Sequence, residues 1–101
     1  MSRRLELHKK LIDLLGSPNV YFQPPENKKI KYPGIIYKRN LEDAKYADDS
    51  LYNHTMGYMV TVIDSNPDSE IPDKIRSLPL TSFNRHYTAD NLNHDVFNVY
   101  Y

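Results

Sequence analysis

The leucines near the N-terminus are the feature that most constrains how this chain can fold. Leu7, Leu11, Leu14 and Leu15 recur at helical spacing, and most side chains between them are charged. This pattern predicts an amphipathic helix with one apolar stripe to bury, ended by a strong stop signal at Gly16. A chain of 101 residues has room for a single domain, so the stripe must pack against whatever the remaining residues form.

The middle of the chain is patterned for short strands. Candidate strands occupy residues 20–22, 35–39 and 54–64. In the third of these, Tyr58, Val60 and Val62 fall on one side, and the residues between them are also mostly apolar. A strand with two apolar faces is typical of the centre of a sheet, so we expect it to have a neighbour on each side.

A second, shorter helix follows the strand-forming region. Ile71, Ile75 and Leu78 stand at positions i, i+4 and i+7, and a proline comes directly after them. The spacing predicts a helix of about two turns that needs sheet packing to form, with Asp68 or Ser69 as its N-cap.

The C-terminal residues predict a β-hairpin. Alternating runs at residues 82–87 and 96–101 flank a polar stretch, and alternation in the first run places Phe83, Arg85 and Tyr87 on one side. The complete order favours the α+β class. We expect one domain over all 101 residues, with a mainly antiparallel sheet of about five strands and both helices packed on one face.

The composition excludes several kinds of chemistry. Without cysteine there is no disulfide, thiolate nucleophile or zinc–thiolate site, and three glycines form no phosphate-binding loop. Thirteen basic and thirteen acidic side chains cancel, which argues against nucleic-acid readout, although basic patches at 28–31 and 85–87 keep that alternative open. No apolar stretch approaches the roughly 20 residues of a membrane helix, so we expect a soluble protein used in a cytoplasm.

One group of side chains near the C-terminus has ligand chemistry. His86, Asp90, His94 and Asp95 supply imidazole and carboxylate groups suited to zinc or manganese, and a hairpin could bring them together. This group motivates one alternative function, a small metal-dependent hydrolase or nuclease. The spacing matches no standard metal motif, and strand alternation already accounts for both histidines. We therefore predict no metal or cofactor, and a polar cluster of turn and sheet is the competing interpretation.

The segment from Asn40 to Asn53 is a candidate interface. It lacks clean periodicity, and long connections are uncommon in compact domains unless they are functional or disordered. Its candidate contact residues are Glu42, Asp43, Lys45, Tyr46, Asp48 and Asp49. Charges of mixed sign suit either a solubilising loop or a docking surface that sets a partner's orientation. The nine tyrosines of the chain likewise suit either protein interfaces or the surfaces of small strands.

Four segments of the chain carry a resemblance to a known family. In order, they read YPGIIYKR, YMVTVID, PDSEIPDKIRSLP and SFNRHYTADNLNHDVFNVYY. In order and wording they resemble the tail terminator, or tail-completion, proteins of long-tailed bacteriophages. The resemblance covers nearly the whole chain and is clearest from Tyr32 onward, whereas the segment from Asn40 to Asn53 matches least.

This resemblance implies a structural virion protein with no catalytic residues. Six α+β protomers would form a ring that caps the tail tube, ends its polymerisation and helps join tail to head. The implied partners are other copies of the chain, the major tail tube protein and a head-side connector or stopper protein; the implied location is the tail or neck of the virion, after assembly in the host cytoplasm. A rival within the same class is a connector or stopper on the head side of the neck. The implied contact region includes the terminal hairpin, with candidates Arg85, Tyr87, Asp90, Asn91 and His94.

Overall fold

The leucine stripe forms helix α1, Arg3–Leu15, in a computed structural model that describes residues 3–40 and 56–101. Leu7 and Leu11 of this stripe are fully buried. Gly16 ends the helix, as predicted: its φ of 80° lies in the left-handed region, and its N–H donates to the carbonyl of Ile12 at 2.8 Å.

Five strands form one sheet beside the helix. They are β1 (Val20–Phe22), β2 (Gly34–Arg39), β3 (Gly57–Asp64), β4 (Thr81–Ala89) and β5 (Leu92–Tyr100), with the short helix α2 (Ile71–Arg76) between β3 and β4. The spatial order is β1-β2-β3-β5-β4, so β3 is central, as its two apolar faces predict. The α+β class and the element order are confirmed.

The sheet is mixed because β1 runs parallel to β2, while the other three pairings are antiparallel. The loop at residues 23–33 returns the chain to the same end of the sheet before β2 begins. This return requires a close approach at Gly34, where an added Cβ would lie 2.5 Å from the carbonyl oxygen of Lys31. A backbone atom cannot move aside as a flexible side chain can, so only glycine fits this position.

The hydrophobic core lies between the sheet and the two helices. Alternate residues of β2, β3 and β5 point toward the helices and are buried there. The main contributors are Leu7, Leu11, Ile35, Tyr37, Val60, Val62, Ile75, Phe97 and Val99. Both helices therefore pack on one face of the sheet, as predicted.

The capping prediction for α2 is wrong by one or two residues. Glu70 occupies the N-cap position and makes no side-chain cap hydrogen bond. Ser69 still contributes, since its Oγ accepts the N–H of Ile71 at 3.3 Å. Pro72 in the first turn has no N–H to satisfy, so the start of this helix needs fewer capping partners than a usual one.

The predicted hairpin is confirmed, but its turn is tighter than the polar stretch indicated. Asp90 and Asn91 alone make the turn, with φ values of 52° and 62°, as a type I′ turn requires. The strands consequently extend further toward the turn than the alternating runs, to Ala89 in β4 and back to Leu92 in β5.

A β-bulge corrects one prediction about β4. Phe83 pairs with Phe97, whereas Arg85 pairs with Val96, so Asn84 is an extra residue in β4. Alternation shifts at this point, which puts Phe83 on the helix side and Arg85 on the opposite side. The prediction that Phe83 and Arg85 share a side is therefore wrong.

Candidate interaction surface

The face of the sheet opposite the helices, the open face, has an apolar floor. Ile36, Thr61 and Val96 are direct neighbours across β2, β3 and β5 on this face. Met59 and Ile63 lie on either side of Thr61 along β3. Ile63 and Val96 are buried although neither belongs to the core beneath the helices. These side chains and their surroundings form a depression of about 300 Å³.

The hairpin supplies one wall of this depression. Tyr87 and His94 pair across β4 and β5, and their rings stack with centroids 4.6 Å apart and planes 12° apart. Arg85 lies on the same face, its guanidinium carbon 5.7 Å from the centre of the Tyr87 ring. Lys38, exposed on β2, lines the depression from the other side. The apolar floor is therefore bordered by positive charge.

A second depression extends the first toward β1. It measures about 520 Å³ and shares Ile36 and Lys38 with the first, so the two adjoin along β2; together they are called the open-face groove. The loop after β1 contributes Glu26 and Lys28 to its wall, and Arg39 lines it from the end of β2. With the hairpin arginine, the described residues that line the groove include four permanent cations and one carboxylate.

The outer side of β4 is an unpaired edge of the sheet among the described residues. All residues from Ser82 to Ala89 are exposed, including Phe83 at 44% and Tyr87 at 41%. The Phe83 ring lies on the helix side, where the guanidinium carbon of Arg76 is 5.0 Å from its centre. A long edge with exposed aromatic rings is a template for pairing with another chain.

The candidate interface residues from the sequence fall into three groups. Arg85, Tyr87 and His94 come together on the open face, whereas Asp90 and Asn91 form the turn at the tip of the hairpin. The remaining candidates, Glu42, Asp43, Lys45, Tyr46, Asp48 and Asp49, lie outside the described residues.

The residues weighed as metal ligands in the alternative function are not assembled by the hairpin. His86 and Asp95 are cross-strand partners on the helix side, while His94 lies on the open face. The Nε2 atom of His86 lies 3.3 Å from Oδ1 of Asn93, a contact within the strand pair. Across residues 3–40 and 56–101 no group of three or more histidine, cysteine, aspartate or glutamate side chains is placed to hold a metal ion. Alternation likewise separates His86 from Arg85, so residues 85–87 do not form one basic patch.

A polar cluster beneath α1 was missed from the sequence. The hydroxyl of Tyr37, a fully buried side chain, lies 2.7 Å from Nδ1 of His8 and accepts a hydrogen bond from Arg4 at 3.4 Å. Burial, followed by the nearby Arg4 charge, lowers the pKa of His8, and burial raises the pKa of Tyr37. Arg4 also lies over the Phe22 ring, 4.5 Å from its centre. The position of His8 in α1, next to the buried Leu7, is the signal that could have indicated this cluster.

Comparison with protein-family models, with curated proteins and with solved structures finds no match to this chain. In the part of the chain that the structure describes, neither helix has the length and apolar character needed to span a bilayer. The geometry of the open face and of the β4 edge therefore supplies the structural argument about function.

Proposed function

We propose that this protein is a tail terminator of a long-tailed bacteriophage, a structural protein that caps the tail tube as a ring and helps join tail to head. The proposal starts from the segment order in the sequence. The structural observation that supports it is the outer side of the nine-residue strand β4. This side pairs with no described strand, whereas the inner side pairs with β5.

A ring of identical subunits needs two different surfaces on each protomer. In a closed ring, one surface of each copy contacts a second, different surface of the next copy. The sheet has two unlike edges: β4 is long and carries exposed aromatic rings, whereas β1 has three residues. Strand addition at the β4 edge would supply main-chain hydrogen bonds, and Phe83 and Tyr87 would supply buried aromatic area.

A role in assembly also agrees with the chemistry of the described residues. The candidate ligands His86 and His94 lie on opposite faces of the hairpin, so no observation favours the hydrolase alternative. The proposed partners are other copies of the chain, in a six-fold ring, together with the major tail tube protein and a head-side connector protein.

Tail length is the direct test of this function. Phage particles lacking this protein should carry tails of irregular and excessive length, because nothing would stop tube subunits from adding. Negative-stain electron microscopy of the mutant lysate measures the distribution, and expression of the protein from a plasmid should restore uniform length. Tails of normal, uniform length without the protein would refute the proposal.

The position of the protein in the neck separates a terminator from a head-side connector. A terminator contacts the last ring of the tail tube. It should therefore remain attached to tails purified from a phage mutant that makes no heads. A connector or stopper should instead remain with heads purified from a tail-defective strain. Immunoblotting of the two purified fractions distinguishes these outcomes.

A further inference from the structure

The open-face groove combines an apolar floor with a cationic border. Its floor runs from Ile36 across Thr61 to Val96, and Lys38 and Arg85 line opposite sides of it. Apolar side chains on a partner would pack against this apolar floor, while carboxylates beside them would lie next to the cations. A single occupant with both apolar and acidic side chains would therefore complement both the floor and the border of the groove.

The cations of the groove are not paired with carboxylates of the described residues. Lys38, Arg39 and Arg85 form no ion pair with any described carboxylate, and Lys28 is placed over the ring of Tyr21 with 5.7 Å from ammonium to ring centre. Among the described residues, Glu26 is the one carboxylate that lines the groove. This local excess of positive charge is compatible with a neutral chain, because residues 41–55 hold four carboxylates and one lysine and so leave the remainder with an excess of three cations.

We propose that the open-face groove binds an extended acidic segment of a partner protein, with aliphatic or aromatic side chains seated on the Ile36–Thr61–Val96 floor and flanking carboxylates beside Lys38 and Arg85. Crossing the four strands from β2 to β4 covers about 14 Å, which an extended segment spans with about five residues. In such a segment alternate side chains face the floor, and the residues at its two ends lie beside Lys38 and Arg85.

A protein segment fits these features better than a polynucleotide does. Base stacking requires free aromatic faces, whereas the floor is aliphatic and the Tyr87 ring is already stacked on His94. The proposal is independent of the phage assignment, since it depends only on the shape and charge of this face. It concerns a face of the sheet, whereas the ring proposal concerns the outer edge of β4, although Tyr87 contributes to both. Peptide binding and tail length are separate measurements, so either proposal can fail without the other.

Peptide binding tests the proposal directly. The probe is a fluorescein-labelled peptide of about nine residues in which leucine and tyrosine alternate with aspartate and glutamate, titrated with purified protein and followed by fluorescence anisotropy. We expect saturable binding that weakens as salt is raised. The same peptide with asparagine and glutamine in place of its acids should bind at least about tenfold more weakly.

Matched variants localise the binding. The double variant Lys38→Glu with Arg85→Glu should lose at least about tenfold in affinity, whereas Lys74→Glu, a charge reversal on the exposed side of α2, should stay within about twofold of wild type. Thr61→Tyr keeps a residue that favours strands but fills the middle of the floor, so it should abolish binding without a change of charge. Circular dichroism and thermal unfolding verify that each variant is folded.

Several results would overturn the proposal. These are no saturable binding, equal binding of the acidic and neutral peptides, or wild-type affinity in the folded Lys38→Glu/Arg85→Glu and Thr61→Tyr variants. Tighter binding of a single-stranded oligonucleotide, or of vesicles containing phosphatidylglycerol, than of the acidic peptide would also overturn it, because the groove would then select a polyanion or a lipid surface instead of a protein segment.

Discussion

At the scale of single residues, the buried hydroxyl of Tyr37 has the clearest energetic role. It joins β2 to α1 through His8 and Arg4, and the Tyr37 side chain is fully buried, whereas its two partners are half-buried. A neutral His8 accepts the Tyr37 O–H at Nδ1, and the same hydroxyl oxygen accepts an N–H from Arg4. One hydroxyl thereby satisfies two polar side chains at the helix–sheet interface.

Removing this hydroxyl should destabilise the fold. We expect Tyr37→Phe to lower the free energy of unfolding by about 1–2 kcal/mol, because His8 and Arg4 would lose their shared partner. The measurement is urea denaturation followed by circular dichroism. Tyr87→Phe is the control, since the Tyr87 hydroxyl is exposed and bonds to no described residue, and it should change stability by less than about 0.5 kcal/mol. Equal effects of the two substitutions would contradict this role.

His8 should also make stability depend on pH. Its pKa in the folded chain lies below the unfolded value of 6.5. Between these two values unfolded chains bind a proton that folded chains do not, so the free energy of unfolding should fall as the pH is lowered through 6.5. Denaturation curves from about pH 7 to about pH 5 measure this slope. His8→Gln keeps a hydrogen-bonding side chain that does not titrate, so its free energy of unfolding should fall less steeply as the pH is lowered. Equal pH dependence in the wild type and this variant would refute the assignment to His8.

At the scale of elements, the hairpin turn has a strict backbone requirement. Asn91 has a φ of 62°, which asparagine and glycine tolerate and a β-branched residue does not. We expect Asn91→Val to lower the free energy of unfolding by about 1–2 kcal/mol and Asn91→Gly to leave it equal or higher. Thermal unfolding compares them with Thr88→Val, an exposed and isosteric change in β4 that should have little effect. An Asn91→Val variant as stable as the wild type would exclude the type I′ turn.

Elements with a strong local pattern could be predicted from the sequence. The leucine stripe of α1, its stop at Gly16 and the central place of β3 all follow from spacing and alternation, and the structure confirms them. The parallel pairing of β1 could not be predicted in this way, because it depends on where the loop at residues 23–33 returns the chain.

The candidate site was predicted only in part, for a similar reason. Residues 82–87 read as clean alternation, and no glycine marks Asn84 as an extra residue. The bulge there depends on pairing with β5, and it decides that Arg85 faces the groove with Tyr87 while Phe83 does not. The partnership of His8 with Tyr37 is equally non-local, since it joins residues 29 positions apart.

At the scale of the whole molecule, the ring proposed above depends on the β4 edge. The outer edge of β4 has neither lysine nor proline, so its protection against strand addition is limited to the bulge at Asn84 and the charge of Arg85. This edge should therefore be the surface most sensitive to changes that block pairing while leaving the fold intact.

Lysines on the edge should prevent assembly. In the double variant Ser82→Lys with Thr88→Lys, both new side chains are on exposed positions, so the protomer should fold with nearly unchanged stability. Under the proposed function, this variant should lose ring formation on tail tubes and fail to restore tail length in particles lacking the protein. Ser65→Lys with Ser77→Lys, two exposed positions away from β4, is the matched control and should restore it. Full restoration by the edge variant would place the intersubunit contact elsewhere.

The hairpin is packed against the helices near its base and not near its turn, and this difference affects how it opens. Near its base, Phe97 and Val99 are buried under the helices, but nearer the turn the helix-side residues are polar: His86 and Asp95, then Thr88 and Asn93. The base should therefore open only when the whole domain unfolds, whereas the tip should fray on its own. Amide hydrogens of residues 86–93 should exchange with deuterium much faster than those of residues 97–99, and binding of another chain along β4 should slow the tip first.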